Sequence, residues 1–382
     1  MPRLAGAALA SWLLPFAFAD SKPLTLTAEE QRYYDDLRDF SNEYFAQRLK
    51  APPDRDGPHT LHPKFQYHLE KYSRGVPGGS FAERLSTPEG VAAYRYSVDR
   101  VWSHRSFETA PMRKTEDVRI DGPGGTLEAR VYTPAVPSAP AAGLPVLVYF
   151  HGGGFMGGSL IAVDPAVRLI ANDANVIVVS ANYRLSPEHT FPAAQDDALA
   201  VYRWVRARVK DLGGDARRIA IGGDSAGGQL AVVTTLRSLE ASEAPPVYQL
   251  LYYPVVDADK EKYGSMDKFR NGFGLNEEAT SFFTRSYYPN PEDRTHPHAS
   301  PIRARTLRGF PPALVVTANF DLLRDQGKAY VERLRNEGVP ARWLNYGSLI
   351  HGFMQHSRHV DAARDACRES ARIFGEALRA LK

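Results

Sequence analysis

Ser225 stands in the run IGGDSAGGQ, with a pair of glycines on either side, and Gly223-Asp224-Ser225-Ala226-Gly227 fits the pattern G-x-S-x-G. In that pattern a strand turns so sharply into a helix that the serine takes a strained backbone conformation and its hydroxyl projects outward. A Cβ at Gly223 or Gly227 would collide where strand and helix cross, so the small residues let the corner close. The helix N-terminus beneath the serine favours negative charge there. An apolar RIAI before the motif and a helical AGGQLAVVTTL after it supply the required context.

A second group of small residues follows the apolar run PVLVYF: His151-Gly152-Gly153-Gly154-Phe155. Acyl transfer creates an oxyanion, and fixed backbone N–H groups stabilise it better than flexible side chains. Consecutive glycines let the main chain approach closely. Gly152, Gly154 and Gly157 also satisfy G-x-G-x-x-G, the dinucleotide-binding signature. That rival reading needs an acid at the end of the next strand to hold a ribose, and the strand ends VVSANYR without one.

A serine hydroxyl needs a base, itself oriented by an acid. His351 follows the segment ARWLNY and precedes a glycine, which puts it on a loop beyond a strand. His189, His296 and His298 fall in proline-rich loops, and His356 and His359 fall in or beside the last helix. Asp321 lies just past the strand PALVVTA, whereas Asp325 falls inside the following helix. Strand ends carry chemistry in this architecture, which favours Asp321. The order serine, aspartate, histidine is that of the α/β-hydrolases.

The elements that must hold these residues alternate. VRIDG and LEARVY suggest a hairpin around Gly122 to Gly125, and PVLVYF, VIVVSA, RIAIGG, YQLLYYP and PALVVTA read as buried parallel strands. Between them lie helical segments, such as 192–210 with Ala198, Val201, Tyr202 and Val205 on one face. The expected fold class is α/β, with a mostly parallel central sheet covered on both faces. Residues 257–300 interrupt the alternation with a polar, glycine-rich piece and a short helix near Glu277 to Tyr288. Upstream, Thr27 and Glu30 have capping-box spacing, and Tyr33, Leu37, Phe40 and Tyr44 recur at helical intervals before Pro52-Pro53. That aromatic stripe is either a buried face or the wall of a substrate passage. Residues 52–80 read as a long irregular segment, and a second helix follows Thr87-Pro88.

The chain has 382 residues, one cysteine, Cys367, and a formal charge of +3. That size buries enough surface to need no disulfide or metal staple. No lysine/arginine run with interleaved aromatics marks a nucleic-acid groove, so nucleic acid is not an expected partner. Residues 1–19 carry a positive start, an apolar stretch from Leu4 to Leu14 and a small-x-small Ala17-Phe18-Ala19, the form of a cleavable signal peptide. Secretion or periplasmic export is expected, with a cytoplasmic location as the alternative. The apolar stretch is too short for stable membrane insertion. A homodimer is left open.

Together, HGGGF, NYRLSPEHTFPAAQDDALAVYRWV, GGDSAGGQLA, YYPVVD, NFDLLRDQG and IHGF resemble the hormone-sensitive-lipase-like esterases, bacterial lipolytic family IV, in their GDSAG branch. The resemblance implies an α/β-hydrolase fold with a helical cap from residues 20–115 and 257–300 over a catalytic domain of 116–382. It implies a triad of Ser225, Asp321 and His351, an oxyanion hole from the N–H groups of Gly153, Gly154 and Ala226, and support from His151, Gly152, Gly223, Asp224 and Gly227. The implied activity is hydrolysis of short- to medium-chain acyl esters, with no metal and no organic cofactor. An amidase or deacetylase is the alternative, and a non-catalytic ligand-binding receptor on the same scaffold is a third reading, against which the presence of His351 speaks.

Overall fold

In the computed structural model, which describes residues 24–72, 80–106, 110–135, 142–259 and 263–381, eight strands form one twisted sheet. They are β1 (Met112–Gly122), β2 (Gly125–Pro134), β3 (Leu144–Phe150), β4 (Ile177–Ala181), β5 (Gly214–Asp224), β6 (Gln249–Tyr252), β7 (Ala313–Phe320) and β8 (Ala341–Ile350). Their spatial order is β1-β2-β4-β3-β5-β6-β7-β8. The β1–β2 hairpin and the β2–β4 pair are antiparallel, and every other pairing is parallel.

Every residue of β3 is buried, as a strand covered on both faces requires. Its alternate side chains feed two different cores. Val146, Val148 and Phe150 join Ala198, Val201, Leu230 and Leu334 on one face. Leu147 and Tyr149 join Val163, Val167, Ala371 and Phe374 on the other. The covering helices are α6 (Leu160–Ala174) and α12 (Asp361–Ala380) on the second face, and α7 (Ala193–Arg208), α8 (Ala226–Glu240) and α11 (Arg324–Asn336) on the first.

Five helices precede the sheet: α1 (Ala28–Asp39), α2 (Asn42–Ala46), α3 (Pro63–Tyr72), α4 (Phe81–Arg84) and α5 (Pro88–Arg105). The Thr27/Glu30 capping box forms, and Thr87 with Pro88 opens α5 as expected. Two expectations need correction. The aromatic stripe does not run through one helix: Phe40 adopts an extended backbone, and the Ser41 side chain accepts from the Tyr44 N–H to start α2 afresh. Capping chemistry outweighs the hydrophobic period there. Nor is 52–80 irregular where described, since Arg55–Asp56 pairs with His59–Thr60 and α3 follows. Pro63 occupies the first helical position, where its missing N–H costs nothing, and Leu61, Phe65 and Leu69 bury one face in the second core. Of the stripe, Tyr33 and Leu37 are buried with Tyr34 and Phe45 in a small cluster of their own, Tyr44 packs against it half-buried, and Phe40 is 41% exposed.

The 257–300 segment contributes α9 (Gly264–Lys268) and α10 (Glu277–Tyr287), the latter capped by the Asn276 side chain. α10 meets α4 through Phe81, whose ring lies edge-on to Phe282 at 5.6 Å and to Phe283 at 5.2 Å. Residues 1–19 lie outside the described residues, and no described helix is long and apolar enough to cross a membrane.

Candidate active site

β5 ends at Asp224 and α8 begins at Ala226, leaving Ser225 alone at the corner with φ 54° and ψ −116°. Three backbone hydrogen bonds pin that conformation. The Ser225 N–H donates to the Tyr252 carbonyl at 2.9 Å, and its own carbonyl accepts from Gln229 at 3.2 Å and Val255 at 3.1 Å. The flanking glycines are obligatory: a Cβ on Gly227 would lie 2.0 Å from the Phe150 carbonyl oxygen, and one on Gly223 would lie 2.4 Å from the Gly227 backbone.

The hydroxyl so presented meets the predicted partners. His351, on the loop leaving β8, places Nε2 3.1 Å from Ser225 Oγ and Nδ1 2.8 Å from Asp321 Oδ2. Asp321 sits at the end of β7, is 1% exposed, and accepts the Leu323 N–H through its other oxygen at 2.8 Å. The Tyr253 ring packs on the imidazole at 4.7 Å between centroids. Asp325 stays apart, paired with Arg324 at 2.8 Å and accepting from the Ser265 N–H at 2.8 Å. Among the other histidines, His298 pairs with Glu240 at 2.8 Å and touches the ring of His296.

The glycine loop after β3 takes left-handed backbone at three consecutive residues, Gly153 (φ 119°), Gly154 (φ 66°) and Phe155 (φ 60°). The Gly153 carbonyl accepts from the N–H groups of Met156 at 3.1 Å and Gly157 at 3.0 Å, which closes the loop in a tight turn. The Gly152 N–H is taken by Asp224 and the next helix starts only at Leu160, so the loop lacks the direct turn from strand to helix N-terminus that the dinucleotide reading of Gly152, Gly154 and Gly157 requires. Gly153, Gly154 and Ala226 all line the cavity above Ser225.

Asp224 couples the parts. Its Oδ1 accepts from the Tyr149 hydroxyl at 2.9 Å and the Gly152 N–H at 3.0 Å, while Oδ2 accepts from Gln355 at 3.2 Å. One carboxylate therefore joins the serine corner, the glycine loop and the segment after His351. Burial pushes its carboxyl upward against the pull of those three donors. His151 is 1% exposed, shares a hydrogen bond between Nδ1 and the Gly152 carbonyl at 2.7 Å, and stacks on Tyr183. Burial lowers its pKa to about 4, so it is a neutral buttress at ordinary pH.

The cavity has a volume of about 340 Å³. Beyond the predicted residues it is lined by side chains that sequence reasoning passed over: the rings of Phe81, Tyr94, Trp102, Phe283 and Tyr288, and the polar side chains of His68, Arg105, Gln355 and His356. The helical recurrence of Tyr94, Trp102 and Arg105 along α5 is the one pattern that could have flagged part of this wall. The aromatic lining from the cap comes from α4, α5 and α10, not from the Tyr33 stripe. Among the described residues no cluster of three or more histidine, cysteine or acidic side chains is arranged to hold a metal.

Residues 147–355 match the family described as alpha/beta hydrolase fold. Esterase LipI of Mycobacterium tuberculosis is 39% identical over 74% of this chain and 87% of its own length. Ethyl acetate hydrolase of Pseudomonas putida is 36% identical over 63% of this chain and 75% of its own. Among solved structures, an ester hydrolase from the metagenome of Lake Arreo, in complex with a bipyridine phosphonate derivative, superposes with a TM-score of 0.77 at 34% identity, covering 83% of this chain and 99% of that one. With the sheet order, the serine corner and the glycine loop in agreement, the chain belongs to the α/β-hydrolase superfamily, in its hormone-sensitive-lipase-like esterase branch.

Proposed function

We propose that this protein is a serine carboxylesterase that hydrolyses short- to medium-chain acyl esters through an acyl-enzyme on Ser225. The observation that carries the reading is the unbroken relay from Ser225 Oγ to His351 Nε2 at 3.1 Å and from His351 Nδ1 to Asp321 at 2.8 Å, opening on the cavity lined by Gly153, Gly154 and Ala226. His351 takes the serine proton as the hydroxyl attacks the ester carbonyl. Asp321 holds the imidazole in the tautomer that accepts at Nε2 and stabilises the imidazolium that forms. N–H groups of the glycine loop and the start of α8 receive the oxyanion. His351 then protonates the leaving alcohol, and water repeats the sequence to free the acid.

The N-terminal helices and 257–300 serve as the cap over a catalytic domain beginning near residue 116. No observed contact favours amide over ester hydrolysis. A panel of p-nitrophenyl esters from acetyl to palmitoyl, set beside the matching anilides, tests the reading: turnover of anilides alone overturns it. Mass spectrometry after a fluorophosphonate probe should find the adduct on Ser225. Export remains part of the proposal, and N-terminal sequencing of the protein from culture supernatant or periplasm should begin at Asp20.

A further inference from the structure

The cavity above Ser225 has two chemically distinct ends. Toward Gly154 it is aromatic, with Phe81, Tyr94 and Phe283 in mutual ring contact. Toward the C-terminus of α5 it carries one cation, Arg105, beside the rings of His68 and His356.

Arg105 is the unusual member. Its backbone is fixed by the end of α5 and by the Arg358 N–H, which donates to the Arg105 carbonyl at 3.1 Å. Its guanidinium reaches the His68 ring, with Nη1 3.3 Å from Nε2, and interacts with the Tyr34 hydroxyl. Among the described residues no carboxylate lies within ion-pairing distance, and Nε is buried with no acceptor. A buried N–H of a cation left without an acceptor costs free energy that a native fold ordinarily avoids.

The neighbours hold this cation rather than neutralise it. Tyr33 Oη lies 2.9 Å from His68 Nδ1. With the proton on Nδ1 shared with Tyr33, the Nε2 lone pair is the acceptor that Arg105 needs, and this requires neutral His68. Burial and the adjoining Arg105 both hold His68 and His356 well below the ordinary histidine pKa, so the pocket carries neutral rings around one guanidinium. Among the described residues the one acid lining the same cavity, Asp224, already accepts from Tyr149, Gly152 and Gln355.

We infer that Arg105 is a specificity-determining residue that recognises a carboxylate on the ester substrate, so that the preferred substrates are amphipathic esters with an apolar portion at the Phe283 end and an anionic portion at the His68 end. This rests on the esterase reading above and adds a substrate class to it. A carboxylate fits because its two oxygens match the planar fork of a guanidinium, and Arg105 lines the cavity with no carboxylate of the described residues already paired to it.

The anion could sit on the acyl or on the alcohol side, and pairs of one anionic and one neutral ester separate the two. p-Nitrophenyl hemiglutarate against p-nitrophenyl valerate places the charge on the acyl group, and 3-acetoxybenzoate against 3-acetoxybenzamide places it on the alcohol. The readout is the ratio of kcat/KM, anionic over neutral, within each pair. In one pair the native enzyme should show a ratio of at least one, and Arg105→Met should lower it by about tenfold to a hundredfold, the worth of a hydrogen bond to a charged group. Arg105→Lys, which keeps the charge but loses the fork, should restore part of the ratio. Circular dichroism establishes that both variants are folded. Native ratios far below one in both pairs, or ratios that Arg105→Met leaves unchanged while the neutral esters are still turned over, overturn the anion site alone. Failure of the native enzyme on all four esters instead overturns the esterase reading, and the anion site with it.

Discussion

At the corner that carries Ser225, the close approaches are between backbone atoms. Gly227 passes the Phe150 and His151 carbonyls where a Cβ would stand 2.0 and 2.5 Å away, and Gly153 passes the Gly157 carbonyl where one would stand 2.0 Å away. Across the cavity the contacts are between side chains of α4, α5 and α10, with ring centroids of Phe81, Tyr94 and Phe283 5.2 to 6.3 Å apart. A backbone contact of that kind admits one residue type, whereas an aromatic contact admits many shapes. The corner should therefore tolerate nothing and serve every substrate alike. The cap wall should tolerate substitution and sort substrates.

The largest effect tests the first half of that contrast. Ser225→Ala should lower kcat on p-nitrophenyl butyrate by about 10⁴- to 10⁶-fold, with a similar loss on every ester tried, and leave the urea midpoint close to that of the native protein. Asp321→Asn should follow, at roughly 10⁴-fold. Gly227→Ala comes next. Because its Cβ would penetrate the Phe150 carbonyl, it should destabilise the fold by about 4 kcal/mol in urea titration and abolish labelling of Ser225 by a fluorophosphonate. A variant at this glycine that is stable and active would break the claim that backbone sterics govern the corner.

Acid should act on the corner side as well. His151 beneath the glycine loop has its pKa lowered by burial from 6.5 to about 4. The unfolded chain therefore binds this proton at a higher pH than the folded one. The share of the stability that His151 contributes is fully present above pH 6.5, falls as the pH drops through that value, and levels off near pH 4, with about 3 kcal/mol of that share lost. His151→Asn, which can still donate to the Gly152 carbonyl, should flatten that part of the curve of unfolding free energy against pH. An unchanged slope would mean that the imidazole is not buried as tightly as its 1% exposure indicates.

The same contrast explains what could be read from the residues alone. Ser225, Asp321, His351 and the glycines around them lie at strand ends, and each is marked by a residue type that the local backbone demands. The sheet was legible because strands buried on both faces, such as β3, are apolar throughout. Where side chains decide, the pattern misled. The break at Phe40 is set by the Ser41 cap against a helical hydrophobic period, and Pro63 heads α3 inside a stretch whose prolines and histidines look like a loop. The wall of the cavity draws on α3, α4, α5, α10 and the turn after His351, so no local window contains it. Nothing in the spacing of Arg105 tells whether its guanidinium turns outward to water or inward, since an arginine on an amphipathic helix does either.

The smallest effect is the most discriminating, because it must appear in a ratio and not in a rate. Phe283 on α10 leans over Gly154, its ring atoms 2.5 Å from where a Cβ on that glycine would be, and it closes the aromatic end of the cavity against Phe81. Phe283→Ala should lengthen that end. The ratio of kcat/KM for the octanoyl over the butyryl p-nitrophenyl ester should rise by about tenfold, in keeping with the one to three kcal/mol that a methylene contributes in an apolar pocket. Because the ring is only half-buried, the loss of its contacts should cost no more than about 2 kcal/mol of stability. A uniform fall on both esters would place Phe283 with the corner rather than the cap, for it would mean that the ring holds the Gly154 backbone in its left-handed conformation and so serves every acyl group equally.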